Sequence, residues 1–81
     1  MHRELFVGNL SDSISEASLR ELFSQYGRVN SIRLPTDNKT GQPCGYGLVE
    51  MATAVAARAA KEDLNGRRFG GKKLRIEEIG P

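Results

Sequence analysis

The sequence predicts an α+β fold in which a four-stranded antiparallel sheet carries two helices on one face. Three observations predict it. Four short segments hold clustered or alternating β-prone apolar residues. Two other segments repeat apolar residues with helical spacing. The order along the chain is β-α-β-β-α-β. At 81 residues there is room for one small domain, expected over 1–81 with its core at about 4–79.

Each element has a local reason. Leu5-Phe6-Val7-Gly8-Asn9-Leu10 is short, β-prone and followed by a polar stretch, which reads as a strand. Leu19, Leu22, Phe23 and Tyr26 then fall at i, i+3, i+4 and i+7, a single helical stripe. Ser15 is a natural N-cap, and Ile14 with Leu19 can form a hydrophobic staple. Gly27 is expected to end this helix as its C′ residue. Residues 29–34 read as the second strand, with Ile32 and Leu34 on one face and Ser31 and Arg33 on the other. The turn-rich stretch 36–43 leads to a third strand over 44–51. Thr53 can cap a second helix with Ala57, Ala60 and Leu64 inward, Lys61 snorkelling beside them, and Asn65-Gly66 as its end. Leu74 and Ile76 alternate in a final strand. Two βαβ-like crossovers in so short a chain give the ferredoxin-like arrangement, and one sheet face is left without a cover.

Composition excludes several classes of function. A domain of this size buries only about 60% of the surface its unfolded chain exposes, which leaves little room for a deep catalytic pocket. Function is therefore expected on a surface. With 27% charged and 38% hydrophobic residues, the chain reads as a globular domain rather than a disordered one. The longest apolar-rich stretch, 52–60, is interrupted by Thr53 and Arg58 and is too short for a bilayer. No apolar signal segment precedes Leu5, and the single cysteine cannot form an internal disulfide, so a cytoplasmic, reducing setting is expected. One His, one Cys and scattered acids make no metal site, and no cofactor motif is present. Net charge is only +2, but Arg67, Arg68, Lys72, Lys73 and Arg75 cluster without an acid among them. Alone, such a cluster is better read as a solvated turn and edge strand.

Alternation supplies what the cluster lacks. If Leu5 and Val7 face the helices, Phe6 faces outward beside Gly8. If Gly45, Gly47 and Val49 face inward, then Cys44, Tyr46, Leu48 and Glu50 face outward. Two aromatic rings then stand on adjacent inner strands of the bare face, flanked by Arg33, Lys73 and Arg75. Exposed rings are costly unless something stacks on them, and an unpaired base does so for roughly 1–3 kcal/mol. The cations would hold phosphates. Lys39 on the hairpin loop, with Arg67 and Arg68 at the other end, could close over a bound strand. A slip of one residue would bury Phe6 but expose Leu5 and Val7, a poor exchange. Phe23, Tyr26 and Phe69 read as core.

At this point the chain resembles the RNA-recognition motif (RRM) family. The segment Leu5 to Leu10 is similar to its hexamer motif, and Cys44-Gly45-Tyr46-Gly47-Leu48-Val49-Glu50-Met51 to its octamer. Leu64-Asn65-Gly66, Phe69 and the Gly-basic-x-Leu-x-Ile ending are similar to the family's close. The resemblance runs from Glu4 to Ile79 and looks most like the short single-RRM proteins of bacteria. It implies that Phe6 stacks on one base and that Tyr46 packs against sugars. It also implies a second base at Leu48 and a phosphate at Cys44. At those two places the family usually has an aromatic and a basic residue, so binding should be weaker by about 1–3 kcal/mol for the lost stack. Arg33 or Arg75 can stand in for the missing charge.

The function expected is binding of single-stranded RNA, with single-stranded DNA taken more weakly, by a monomer without membrane attachment. Glu4, Glu50, Glu77 and Glu78 lie on or near the same face, where each would repel phosphate or accept a hydrogen bond from a base edge. The alternative is a protein-interaction module on the same scaffold, favoured by the departures at Leu48 and Cys44. An acyl-phosphate hydrolase on this fold would need a phosphate-cradling loop, and none surrounds Gly8 and Asn9. The chain is therefore not expected to be an enzyme.

Overall fold

The computed structural model describes residues 2–80; Met1 and Pro81, the ends of the expected 1–81 domain, lie outside the described residues. The elements are β1 (Glu4–Gly8), α1 (Glu16–Ser24), β2 (Val29–Arg33), β3 (Gly47–Met51), α2 (Ala54–Leu64), β4 (Arg68–Phe69), β5 (Lys72–Lys73) and β6 (Arg75–Ile79). The main sheet has the order β2-β3-β1-β6, and every adjacent pair in it is antiparallel. This is the expected β-α-β-β-α-β architecture, with one addition. β4 and β5 form a separate two-residue hairpin between α2 and β6.

The helices start where their caps dictate. The Ser15 hydroxyl accepts from the Ser18 amide at 3.1 Å, and the Ser18 hydroxyl accepts from the Ser15 amide, also at 3.1 Å. Two donors that a helix start would otherwise leave unpaired are thus satisfied reciprocally. Thr53 caps α2 without the return bond, accepting from the Ala56 amide at 3.1 Å. α1 ends earlier than the glycine suggests. Its C-cap is Gln25, so Gly27 stands two residues beyond and is not the C′ residue. Gly27 is instead a point of close approach, since a Cβ there would stand 2.7 Å from the Ala56 Cβ of α2.

Sheet alternation places the core. Leu5 and Val7 of β1, Val49 and Met51 of β3, and Ile76 of β6 are buried against Leu19 and Phe23 of α1 and Ala56, Ala57, Ala60 and Leu64 of α2. The alanines matter for geometry, because a helix with methyl-sized side chains can lie close to the sheet. Gly47 extends that logic into β3. A Cβ there would stand 2.8 Å from Leu34 Cδ2 and 3.4 Å from Leu19 Cδ2, so position 47 leaves room for those two leucines.

Two asparagines fasten the end of the sheet, and neither role was apparent in the sequence. Asn9 adopts φ 61°, a left-handed turn that asparagine tolerates, and its Nδ2 donates to the Lys73 carbonyl at 2.7 Å. Asn65, the C-cap of α2, accepts from the Ile76 amide at 2.8 Å. Together they tie β1, α2 and the β4–β5 hairpin to the start of β6. Tyr26 and Asp63 clamp the opposite surface: the tyrosine hydroxyl donates to the carboxylate, and Arg67 reaches the same carboxylate at 3.4 Å. Hydrogen bonding to Asp63, then burial, holds the Tyr26 hydroxyl above its ordinary pKa.

Candidate nucleic-acid interface

The open face is built from the residues that the core does not use. In β1 the burial pattern alternates, so Phe6 stands opposite to Leu5 and Val7. Cross-strand register then fixes its neighbours. Leu48 of β3 and Glu77 of β6 lie directly across from Phe6 on its two sides, and Arg33 of β2 lies across from Leu48. One row of the face therefore reads Arg33, Leu48, Phe6, Glu77. On one side of it, Gly8 lies across from Arg75. On the other, Ser31, Glu50, Glu4 and Ile79 make a second row.

The two aromatic rings meet on this face. Phe6 and Tyr46 stack with centroids 5.4 Å apart and planes inclined by 24°. Gly8 explains the position of the phenylalanine. A Cβ at residue 8 would stand 2.7 Å from Phe6 Cε1, so the ring lies over a backbone position that only glycine leaves bare. Tyr46 reaches the face by a route that simple alternation did not anticipate. β3 begins at Gly47 and not at Cys44, and Gly45 turns the chain with φ 84°, a left-handed value that a strand residue does not take. Tyr46 thus enters from the loop that precedes the strand.

The start of β3 matters for Cys44 as well. Its amide donates to the Pro35 carbonyl at 3.1 Å, and its side chain is exposed on the loop rather than on the strand's outward face. Lys39 is exposed near the loop tip. The loop is shaped by Asp37, whose carboxylate accepts from the amides of Lys39 and Thr40 at 2.8 and 3.0 Å. Those two amides lower the Asp37 pKa.

The basic residues divide into three groups. Arg33 and Arg75 are exposed on the face itself. Lys73, expected on the last strand, belongs to β5 and pairs in register with Arg68. It stands on the separate hairpin that precedes β6, where it shares a groove with Arg75 and Glu77. Arg67 is held by Asp63 on the helix side, away from the role of closing over a ligand.

The acids also separate. Glu50 is engaged by Arg3 at 3.8 Å and by the Ser31 hydroxyl at 3.4 Å. Glu78 lies across from Leu5 and pairs with Lys61 of α2 at 3.8 Å, so it belongs to the helix side and not to the open face. Lys61 does snorkel, and Glu78 is its destination. Glu77 remains on the open face, and among the described residues no ion pair engages it.

Comparison with known proteins agrees with this geometry. Residues 5–75 match the RNA recognition motif family. The chain belongs to that family. The domain is 40% identical over 77 residues to RbpA of Nostoc, a match that covers 95% of this chain and 76% of the relative. It is 43% identical over 75 residues to human cleavage stimulation factor subunit 2, of which it spans 13%. Among solved structures, the domain superposes on the RNA-binding protein PG1 with a TM-score of 0.92 at 42% identity, covering 95% of this chain and 93% of that one. It also superposes on a Sex-lethal protein–RNA complex with a TM-score of 0.93 at 28% identity, covering all of this chain and 48% of the other. The family is one of RNA-binding rather than catalytic domains. No helix among the described residues is long and apolar enough to cross a membrane.

Proposed function

We propose that the domain binds single-stranded RNA across the open sheet face as a monomer in the cytoplasm, with modest affinity. One base stacks on Phe6, the sugars beside it pack on Tyr46, and a neighbouring base lies against Leu48. Arg33 and Arg75 hold phosphates from the two edge strands, and Lys73 does so from the hairpin that precedes β6. Lys39 approaches the same strand from the β2–β3 loop. Cys44 contributes backbone position and no charge.

The observation that carries this reading is the Phe6–Tyr46 stack on the side of the sheet opposite the helices. Two rings held there form a platform that accepts any base, because each base has a π-face. Leu48 is the weak point of that platform, since it offers area without a ring. RNA is favoured over DNA because sugars lie against Tyr46, where a 2′-hydroxyl can be felt.

The test is the Phe6→Ala, Tyr46→Ala double variant. It should lose at least about 100-fold in affinity for short single-stranded RNA while its circular dichroism and melting stay close to wild type. Undiminished binding would defeat the sheet-face mechanism. A salt titration separates this reading from a protein-interaction module. Binding to phosphates weakens steeply with added salt, whereas binding of an apolar peptide does not.

A further inference from the structure

We infer that Glu77 selects guanine for the base that stacks on Phe6; the inference rests on the sheet-face reading and deepens it. Register is the starting point. Glu77 lies directly across from Phe6 on the edge strand β6, and Leu48 lies across from it on the other side. Side chains directly opposite in an antiparallel pair have Cβ atoms roughly 4.5–5.5 Å apart. A base lying on the Phe6 ring therefore meets one hydrogen-bonding side chain in its own row on either flank, and that side chain is a carboxylate. Leu48 can offer only contact.

Of the other acids of this region, Glu4 stands in the second row, across from Glu50 and Ile79, and not beside Phe6. Glu50 is engaged by Arg3 and Ser31, and Glu78 turns to Lys61 on the helix side. Glu77 is exposed and without an ion pair among the described residues. It stands on the outermost strand of the sheet, where an open groove lined also by Asn9, Lys61, Asn65, Lys73 and Arg75 leaves the carboxylate uncovered.

The chemistry then chooses among bases. An ionised carboxylate only accepts hydrogen bonds, at two oxygens side by side. In a single strand the Watson–Crick edge is free to be read. Guanine presents N1–H and N2–H there as adjacent donors, which match the two oxygens. Cytosine and adenine present one amino group beside a ring-nitrogen acceptor. Uracil places its single N3–H between two carbonyl oxygens, which the carboxylate repels. The order of preference at this position is guanine, then cytosine or adenine, then uracil. Glu77 also repels phosphate, so the affinity it adds for guanine comes with a penalty for strands that lack one.

The test uses the whole chain with hexauridine and with hexamers in which one central uridine is replaced by guanosine, cytidine or adenosine. Wild type should bind the guanosine hexamer about tenfold more tightly than hexauridine, the size expected of one bidentate contact to a base. In Glu77→Gln this ratio should fall below about threefold while hexauridine binds more tightly than it does to wild type. A preference for guanosine that survives unchanged in Glu77→Gln and Glu77→Ala overturns the inference. So does a wild type that ranks the four hexamers equally while Phe6→Ala still weakens them all. If wild type binds no hexamer, or Phe6→Ala leaves binding intact, the sheet-face reading itself fails, and the role of Glu77 falls with it.

Discussion

The two faces of the sheet are drawn from the same strands, one residue apart, and they obey different rules. On the helix side stand Leu5, Val7, Val49, Met51 and Ile76, all buried and all aliphatic or thioether. On the open side stand Phe6, Leu48, Arg75 and Glu77, where aromatic, apolar and both signs of charge share a single surface. The first face stabilises the fold by removing apolar area from water. The second contributes little of that kind and keeps rings and charges where a ligand can reach them. Under the proposed function, stability and binding fall on alternate positions of one backbone, and substitutions at neighbouring residues should separate them.

The largest effect belongs to the covered face. Leu5→Ala should cost about 2–5 kcal/mol, a large share of the stability of so small a domain, and the loss would show in chemical denaturation. If it melts like wild type, the division between faces is wrong. Its neighbour behaves in the opposite way. Phe6→Ala should leave the melting transition close to wild type and weaken RNA binding by about 1–3 kcal/mol, measured by fluorescence anisotropy.

Leu48→Phe sharpens the comparison from the open side alone. Restoring a ring in the row that contains Arg33 and Phe6 should tighten RNA binding by about 1 kcal/mol, with no change at the helix side. Binding that weakens or stays the same would mean that no base lies at Leu48.

The smallest effect lies at the clamp on the helix side. Tyr26→Phe removes the hydroxyl that donates to Asp63. Water reaches this bond, so the cost should be only about 0.5–1 kcal/mol, with RNA affinity unchanged. The pH dependence has a definite sign. The Tyr26 pKa is raised in the folded state, which therefore holds that proton more tightly than the unfolded chain does. The stabilisation is full below the ordinary tyrosine value of about 10 and is lost as pH rises through the raised one. Melting at alkaline pH should thus bring wild type and Tyr26→Phe closer together.

Most of the architecture was legible because it depends on local patterns. Ser15 and Thr53 begin helices as N-caps do, and Ala57, Ala60 and Leu64 repeat with the helical period. The alternation around Phe6 placed it outward because moving it would expose two aliphatic residues. The features a local pattern does not carry depend on contacts between segments distant in sequence, or on single backbone angles. The β4–β5 hairpin consists of Arg68, Phe69, Lys72 and Lys73, which show no alternating apolar pattern, although Gly70-Gly71 between them is a recognisable two-residue turn. β3 starts at Gly47, three residues after the expected Cys44, because Gly45 takes a turn's positive φ and not a strand's. Glu78, expected on or near the open face, is sent by its strand position to Lys61. Register alone revealed that Glu77 lies beside Phe6.

The central claim is tested most directly by following backbone amides by NMR while a short single-stranded RNA of randomised sequence is added. Amides of residues 4–8, 46–50 and 75–77 should shift together, while those on the outer turns of α1 and α2 stay in place. Shifts concentrated on the helices, with the Phe6 and Tyr46 amides unmoved, would contradict it.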